Sequence, residues 1–425
     1  MSEPLPPPGV DPAPTTKAAH GSVIAVAIGV MNIATYGFTI IAARALGPQA
    51  YGAFAAVMNV LIVVSVASLA LQATAARRIA STPGDVHQIE AGIRHVTLRA
   101  ALTLGALLVL AAPLINTALR LDSLLTAALI GLTAVPLTVM GGQAGILQGE
   151  RRWRPLAVLY TAAGVPRLVV GTALILWRPE ELTATLGVLV GATAPVLVGW
   201  WALRERGDLH HDHPHHPDLS GADHGSRALV RESVRNSQAL LAFFAMSNID
   251  IIVARNVLPD HDSGLYAGGL ILTKAMLFLP QFVVVLAFPD MADHTARRRA
   301  LRLSLAIVGV LGVVGIAASY LLSHVALVFI GGNDYTDVQD QLWLFAVLGT
   351  LLSMIQLLVY ALLAQENGRL VALPWLALAL ITTLAATLAD TVGSLLAVVI
   401  SIDTVLLVVL LVPALRRAPD GAGTR

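Results

Sequence analysis

Cysteine is absent from this chain of 425 residues. That removes disulfides, thiolate nucleophiles and cysteine metal ligands together, and leaves the redox compartment open. Lysine is nearly absent as well: Lys17 and Lys274 are the only two, and neither follows a glycine-rich turn, so there is no phosphate-binding loop for ATP. A His-Glu-x-x-His helix and a Gly-x-Ser-x-Gly elbow are also missing. Charge is scarce overall, at 12% of residues against about a quarter in soluble domains. Apolar residues make up 56%, and mean hydropathy is +0.76. This is the composition of an all-α polytopic membrane protein that works against the lipid bilayer. A net charge of +1, with arginines dispersed among loops, offers no basic face to nucleic acid. No cofactor and no resident metal are expected.

A bilayer core takes about 20 mostly apolar helical residues. Twelve segments meet or approach that length: residues 22–43, 51–73, 98–117, 124–147, 156–177, 184–203, 238–257, 264–288, 303–330, 342–363, 370–388 and 393–415. The ninth is the longest, and a break is expected near Ser319. Loops after even-numbered spans, together with the tails, hold 21 of the 27 basic residues. By the positive-inside rule both termini are cytoplasmic, in a multi-pass protein of the plasma (inner) membrane. Residues 1–20 are polar and proline-rich and read as a disordered tail, and residues 416–425 form a second cytoplasmic tail. The external loops are short, and the first, residues 44–50, carries no acid, which leaves little room for an enzyme's catalytic domain.

Two stretches read as copies. Ile40-Ile41-Ala42-Ala43-Arg44-Ala45-Leu46-Gly47-Pro48 and Ile251-Ile252-Val253-Ala254-Arg255-Asn256-Val257-Leu258-Pro259 share five of nine residues, 211 positions apart. Tyr51 follows the first and Tyr266 the second. The linker at residues 204–237, with its histidine tract from His210 to His216, divides the chain into six-helix bundles at residues 21–203 and 238–415. The tract lacks a fixed helical spacing and reads as a solvated linker. Because six is even, the two bundles enter the membrane in the same direction and form a parallel repeat.

The stretch Ala43-Arg44-Ala45-Leu46-Gly47-Pro48-Gln49-Ala50-Tyr51-Gly52 resembles the A-R-x-L-G-P-x-x-Y-G signature of polysaccharide-exporting flippases. These belong to the multidrug/oligosaccharidyl-lipid/polysaccharide exporter superfamily. Gly145-Ile146-Leu147-Gln148-Gly149 is similar to that family's G-x-x-Q-G. Asn248-Ile249-Asp250 with Gly264-Leu265-Tyr266-Ala267 resembles its second-half hairpin, and Lys274, Pro280 and Phe288-Pro289 fall where the family often has such residues. The resemblance implies two six-helix bundles around a cavity that opens alternately to either side and moves a polyprenyl-diphosphate-linked oligosaccharide outward, with glycan-assembly enzymes as further partners. The chain lacks the two additional C-terminal helices usual in peptidoglycan-precursor flippases. Its first span has none of the acid common in drug antiporters, reading Met31-Asn32-Ile33-Ala34-Thr35-Tyr36. A small-solute or drug carrier, and a transporter-shaped scaffold for glycan assembly, are the alternatives.

The diphosphate so implied calls for cations facing the cavity. Arg44 and Arg255 are equivalent in the repeat, and their place at the external end of a span suits snorkelling to headgroups as well as substrate binding. Lys274 lies too deep to snorkel, and its neighbour is expected to be Asp250, as an ion pair or beside a cavity cation. Arg167 follows Pro166 in mid-membrane and is a functional candidate by depth alone, with Asp403 as its partner or as carrier of a coupling proton. Asn32, Gln72, Asn248 and Gln356 could bind sugar hydroxyls or simply join helices.

Overall fold

Apolar chain in lipid must close its backbone hydrogen bonds within each segment, which for an open chain means helices. The computed structural model describes residues 14–81, 86–207, 222–277, 297–363 and 372–415, and their regular elements are all helical. In order these are α1 (Pro14–Ser81), α2 (Val86–Leu110), α3 (Ala112–Leu119), α4 (Leu124–Gly149), α5 (Trp153–Trp177), α6 (Glu181–Gly207), α7 (Ala222–Val257) and α8 (Asp260–Met276). Then come α9 (Arg297–Leu321), α10 (Ser323–Ile330), a 3-10 segment (Asn333–Gln341), α11 (Leu342–Leu363), α12 (Ala372–Leu388) and α13 (Val392–Leu415). Among the described residues, nine helical stretches are long and apolar enough to cross a membrane. The histidine tract, Pro280, Phe288 and Pro289 lie outside the described residues.

The first of the nine, Ser22–Ala80, has 59 residues and contains both of the first two expected spans. It is folded at Gly47, where φ is 69° and ψ is 173°, a conformation open to glycine and hardly to any other residue. Pro48 follows and brings no amide hydrogen to continue the helix. Phe38 and Phe54, sixteen residues apart, would lie about 24 Å apart along a straight helix. Their ring centroids are 5.9 Å apart, so α1 is a hairpin.

Several boundaries differ from the hydropathy reading. Helix α1 begins at Pro14, inside the tail expected to be disordered; proline suits a first helical turn, and no other follows before Pro48. Helix α7 begins at Ala222, inside the expected linker, and meets no proline until Pro259. The third expected span is two helices, interrupted at Ala111 with a proline at the start of α3. The ninth breaks near Ser319, as expected, at Leu322, and a short helix follows. The two interrupted spans match each other. Helices α2 and α9 have 25 residues each, and each is followed, one residue later, by a helix of 8.

The hairpins that follow the two copies of the repeated block meet closely. A Cβ added at Gly264 would lie 2.0 Å from the Pro48 carbonyl oxygen, so only glycine permits the hairpins to pack this closely. The main buried core runs through this hairpin end, joining Phe38, Phe54 and Ile130 of the first half to Tyr266, Tyr335 and Phe345 of the second. At the opposite, arginine-rich end, Leu71, Ile79, Ile93, Leu147, Leu159 and Leu203 belong to a separate core drawn wholly from the first half. Among the described residues the core shared by the two halves therefore lies at the hairpin end, while the arginine-rich end carries a core of the first half alone.

Substituting Gly47→Ala forces a side chain into that strained conformation, at a cost of about 1–3 kcal/mol. The expected result is a thermal unfolding midpoint several degrees below wild type in detergent, and an unchanged midpoint would refute the strain assigned to this turn.

Candidate functional site

Polar side chains within spans have few partners to choose from, so their contacts separate structural roles from available ones. In the second half, α7, α8 and α13 bring buried Asn248, Asp250 and Asp403 together with half-buried Lys274. Asn248 is anchored by Nδ2, which donates to the Phe244 carbonyl at 2.7 Å and to Ser247 Oγ at 3.2 Å. That leaves Asn248 Oδ1 to accept from Lys274 Nζ at 2.5 Å, and Nζ also reaches the Ser247 carbonyl at 3.5 Å.

The expected direct pair of Lys274 with Asp250 does not form. Asp250 Oδ2 accepts from the Tyr266 hydroxyl at 3.0 Å, and Oδ1 accepts from the Ile251 amide at 2.9 Å. Register explains this: Tyr266 and Lys274 are separated by eight residues, about 12 Å of helix rise, and Asp250 lies at the level of Tyr266. The two charges still interact through the low-dielectric core. Tyr266 is fully buried against the Phe345 ring, with centroids 5.3 Å apart. Its role as the partner of Asp250 was missed, although its place after the repeated block singled it out.

Asp403 is only 1% exposed, and neither carboxylate oxygen has a hydrogen-bond partner. It interacts electrostatically with Asp250 and with the Tyr266 phenol. The alternative pairing with Arg167 is not realised, because Arg167 is on α5 in the first half and interacts with no carboxylate. Arg167 is half-buried, its backbone lies against Gly191 of α6, and its Nε has no partner.

The uncharged candidates divide in the same way. Gln72 Nε2 donates to Tyr160 Oη at 2.7 Å and Gln148 Oε1 at 3.0 Å, a network that ties helices of the first half together. Gln356 Nε2 reaches Tyr360 Oη at 3.3 Å, while its Oε1 is buried without a partner. Asn32 is half-buried on α1. Arg44 and Arg255 belong elsewhere, at the hairpin end: Arg44 donates to the Val328 carbonyl, and Arg255 Nε to the Leu119 carbonyl at 3.0 Å. No group of three or more potential metal ligands occurs among the described residues.

Between α1 of the first half and α8 to α10 of the second lies a cleft of about 570 Å³. Ile33, Tyr36, Ile40, Ile271, Leu272 and Phe329 give it an almost wholly apolar lining. Its end toward the hairpins is crossed by the Tyr36 hydroxyl, which donates to the Ile271 carbonyl at 3.0 Å.

Joined at the hairpin end and cleft at the side, this helical body has the build of a multi-pass membrane protein. Solved structures share the fold. A multidrug resistance MATE family transporter of the MOP superfamily, in an inward-facing conformation, is similar with a TM-score of 0.66 at 13% identity, over 91% of this chain and 93% of that one. A eukaryotic MATE transporter, AtDTX14, gives 0.66 at 13% identity over 94% and 96%. The lipid II flippase MurJ, in an inward closed conformation, gives 0.67 at 12% identity over 92% and 87%. No curated protein matches the sequence. Residues 18–293 match the family described as polysaccharide biosynthesis protein, and the chain belongs to that family.

The contacts separate two kinds of buried acid. Tyr266→Phe strips Asp250 of a donor and is expected to lower stability by about 1–3 kcal/mol. Asp403→Asn removes a charge that makes no bond and should leave the unfolding midpoint unchanged or raise it. A loss as large as that of Tyr266→Phe would make Asp403 a structural residue.

Proposed function

We propose that this protein flips a lipid-linked oligosaccharide, or a related polysaccharide precursor carried on a polyprenyl diphosphate, from the cytoplasmic to the external leaflet of the plasma (inner) membrane. The single observation that carries this reading is the apolar side cleft between α1 and α8 to α10, in a member of the polysaccharide biosynthesis family. A small hydrophilic solute needs no such opening. A polyprenyl chain does, because each methylene kept out of water is worth about 0.8 kcal/mol and the chain must stay in an apolar medium while its headgroup crosses. The fold likeness to a lipid II flippase is consistent with this, and the likeness to MATE transporters keeps a drug carrier as the competing outcome of the test.

In this reading the chain crosses the membrane twelve times, as two parallel six-helix halves at residues 21–203 and 238–415 with both termini cytoplasmic. The arginine-rich end faces the cytoplasm. Lys274 and Arg167 are the cations that meet the diphosphate as it crosses, since neither is neutralised by a contacting carboxylate. Asn32 and Gln356 supply hydrogen bonds to sugar hydroxyls, and Gln72 and Asn248 hold the cavity wall in shape. Asp403, beside the Asp250–Tyr266 pair, takes up a coupling proton. Cargo moves without covalent chemistry, and glycan-assembly enzymes supply and consume it on the two faces.

Depleting the protein should cause lipid-linked glycan to accumulate on the cytoplasmic face. Arg167→Ala and Lys274→Ala variants should insert normally yet fail to relieve that accumulation. No accumulation, together with active efflux of a cationic dye, would favour the drug carrier. Full relief by both variants would remove these two residues from the transport path.

A further inference from the structure

We infer that Arg44 and Arg255 form a reciprocal latch in which each half of the protein caps a broken helix of the other, and that this latch holds the hairpin end shut. The last four carbonyls of any helix lack an intrahelical donor, and they form the negative end of its dipole. In α3 the Asn116 and Thr117 carbonyls are satisfied locally, by the Leu121 and Arg120 amides at 3.1 and 3.3 Å. The remaining two are satisfied from the second half. Asn256 Nδ2 donates to the Ala118 carbonyl at 2.7 Å, and Arg255 Nε to the Leu119 carbonyl at 3.0 Å, while Arg255 Nη2 reaches the carbonyl of Arg120. Arg120 returns a bond to the Asn256 carbonyl at 3.2 Å.

The other copy repeats the arrangement with the halves exchanged. In α10 the Leu327 carbonyl accepts from the Gly332 amide at 2.9 Å, and the Val328 carbonyl accepts from Arg44 of the first half. Tyr335 of the second half donates to the Ala43 carbonyl at 3.1 Å. The repeat thus explains itself: each duplicated arginine serves the short helix that ends the interrupted span of the opposite half. The copies differ in degree. Arg255 is 3% exposed and also bound by Ser263 Oγ at 3.4 Å and Asp260 Oδ1 at 3.5 Å, whereas Arg44 is exposed.

A static brace and a latch predict different things. Opening the hairpin end separates α3 from α7 and α10 from α1, which breaks the bonds that cross between the halves and leaves those within each half in place. Removing the arginines should therefore shift the protein between two folded arrangements. The latch does not depend on the identity of the cargo.

The natural absence of cysteine permits spin labels without a prior background change. One pair, Thr117→Cys with Thr336→Cys, spans the halves at the hairpin end, and a second, Arg154→Cys with Arg302→Cys, spans them at the arginine-rich end. All four sites are exposed. In the Arg44→Ala/Arg255→Ala background, electron–electron distance measurements should show a longer population for the first pair and a shorter one for the second. The population ratio should move about tenfold for each arginine removed, which corresponds to about 1.4 kcal/mol. Arg→Lys at both positions should restore part of the wild-type distribution. Unchanged distributions at both ends would overturn the latch. So would lengthening at both ends together, the sign of a loosened fold.

Discussion

A helix end leaves four carbonyls without an intrahelical donor, and the arrangement of this molecule follows from where those carbonyls are. Spans three and nine both stop short, at Ala111 and Leu322, and each restarts as a helix of eight residues whose C-terminal end needs donors. Neither half supplies all of them. Arg255 and Asn256 come to α3 from the second half and Arg44 comes to α10 from the first, so the halves are bound at one end by a backbone requirement as well as by apolar contact. The reach depends on the glycine contact. Any side chain at Gly264 would hold the second hairpin off Pro48 and move both arginines away from their carbonyls.

Much of this was legible in the sequence, for identifiable reasons. The first hairpin declared itself because Gly47-Pro48 specifies a backbone conformation, and a conformation written into two residues survives any tertiary context. The spans were legible because hydropathy over about 20 residues is a bulk property. The break at Ala111 was not, since an average over that window does not register one non-helical residue among apolar neighbours. Partners were the least legible. Lys274 and Asp250 are close enough in the chain to suggest a pair, but the choice between Tyr266 and Lys274 for Asp250 was made by helix register, a matter of eight residues on α8. Arg167 and Asp403 could be matched by charge alone, and the fold brings Arg167 into interaction with no carboxylate.

The polar groups inside the spans now fall into two sets. Gln72 with Tyr160 and Gln148, and Asp250 with Tyr266 and its own backbone, are satisfied, and satisfied networks in a low-dielectric core contribute rigidity. Asp403, Gln356 Oε1 and Arg167 Nε are buried without partners, an arrangement that costs stability. Buried carboxylates are expected to be paired, and Asp403 departs from that rule, held apart from any donor and beside a second acid.

The choice between arginine and lysine sharpens this division. Capping a helix end means meeting several carbonyls spread over one turn, and a planar guanidinium with five donors spans them where a point charge cannot. Arg255 uses three of its nitrogens in this way, on two carbonyls, a hydroxyl and a carboxylate. Lys274, the only lysine inside a described span, is placed where one strong acceptor, Asn248 Oδ1, fixes the ammonium and leaves its other hydrogens uncommitted to any anion. The Lys274 ammonium is held by a neutral amide and feels Asp250 without contacting it, whereas the Arg255 guanidinium has its donors taken up by carbonyls, Ser263 and Asp260.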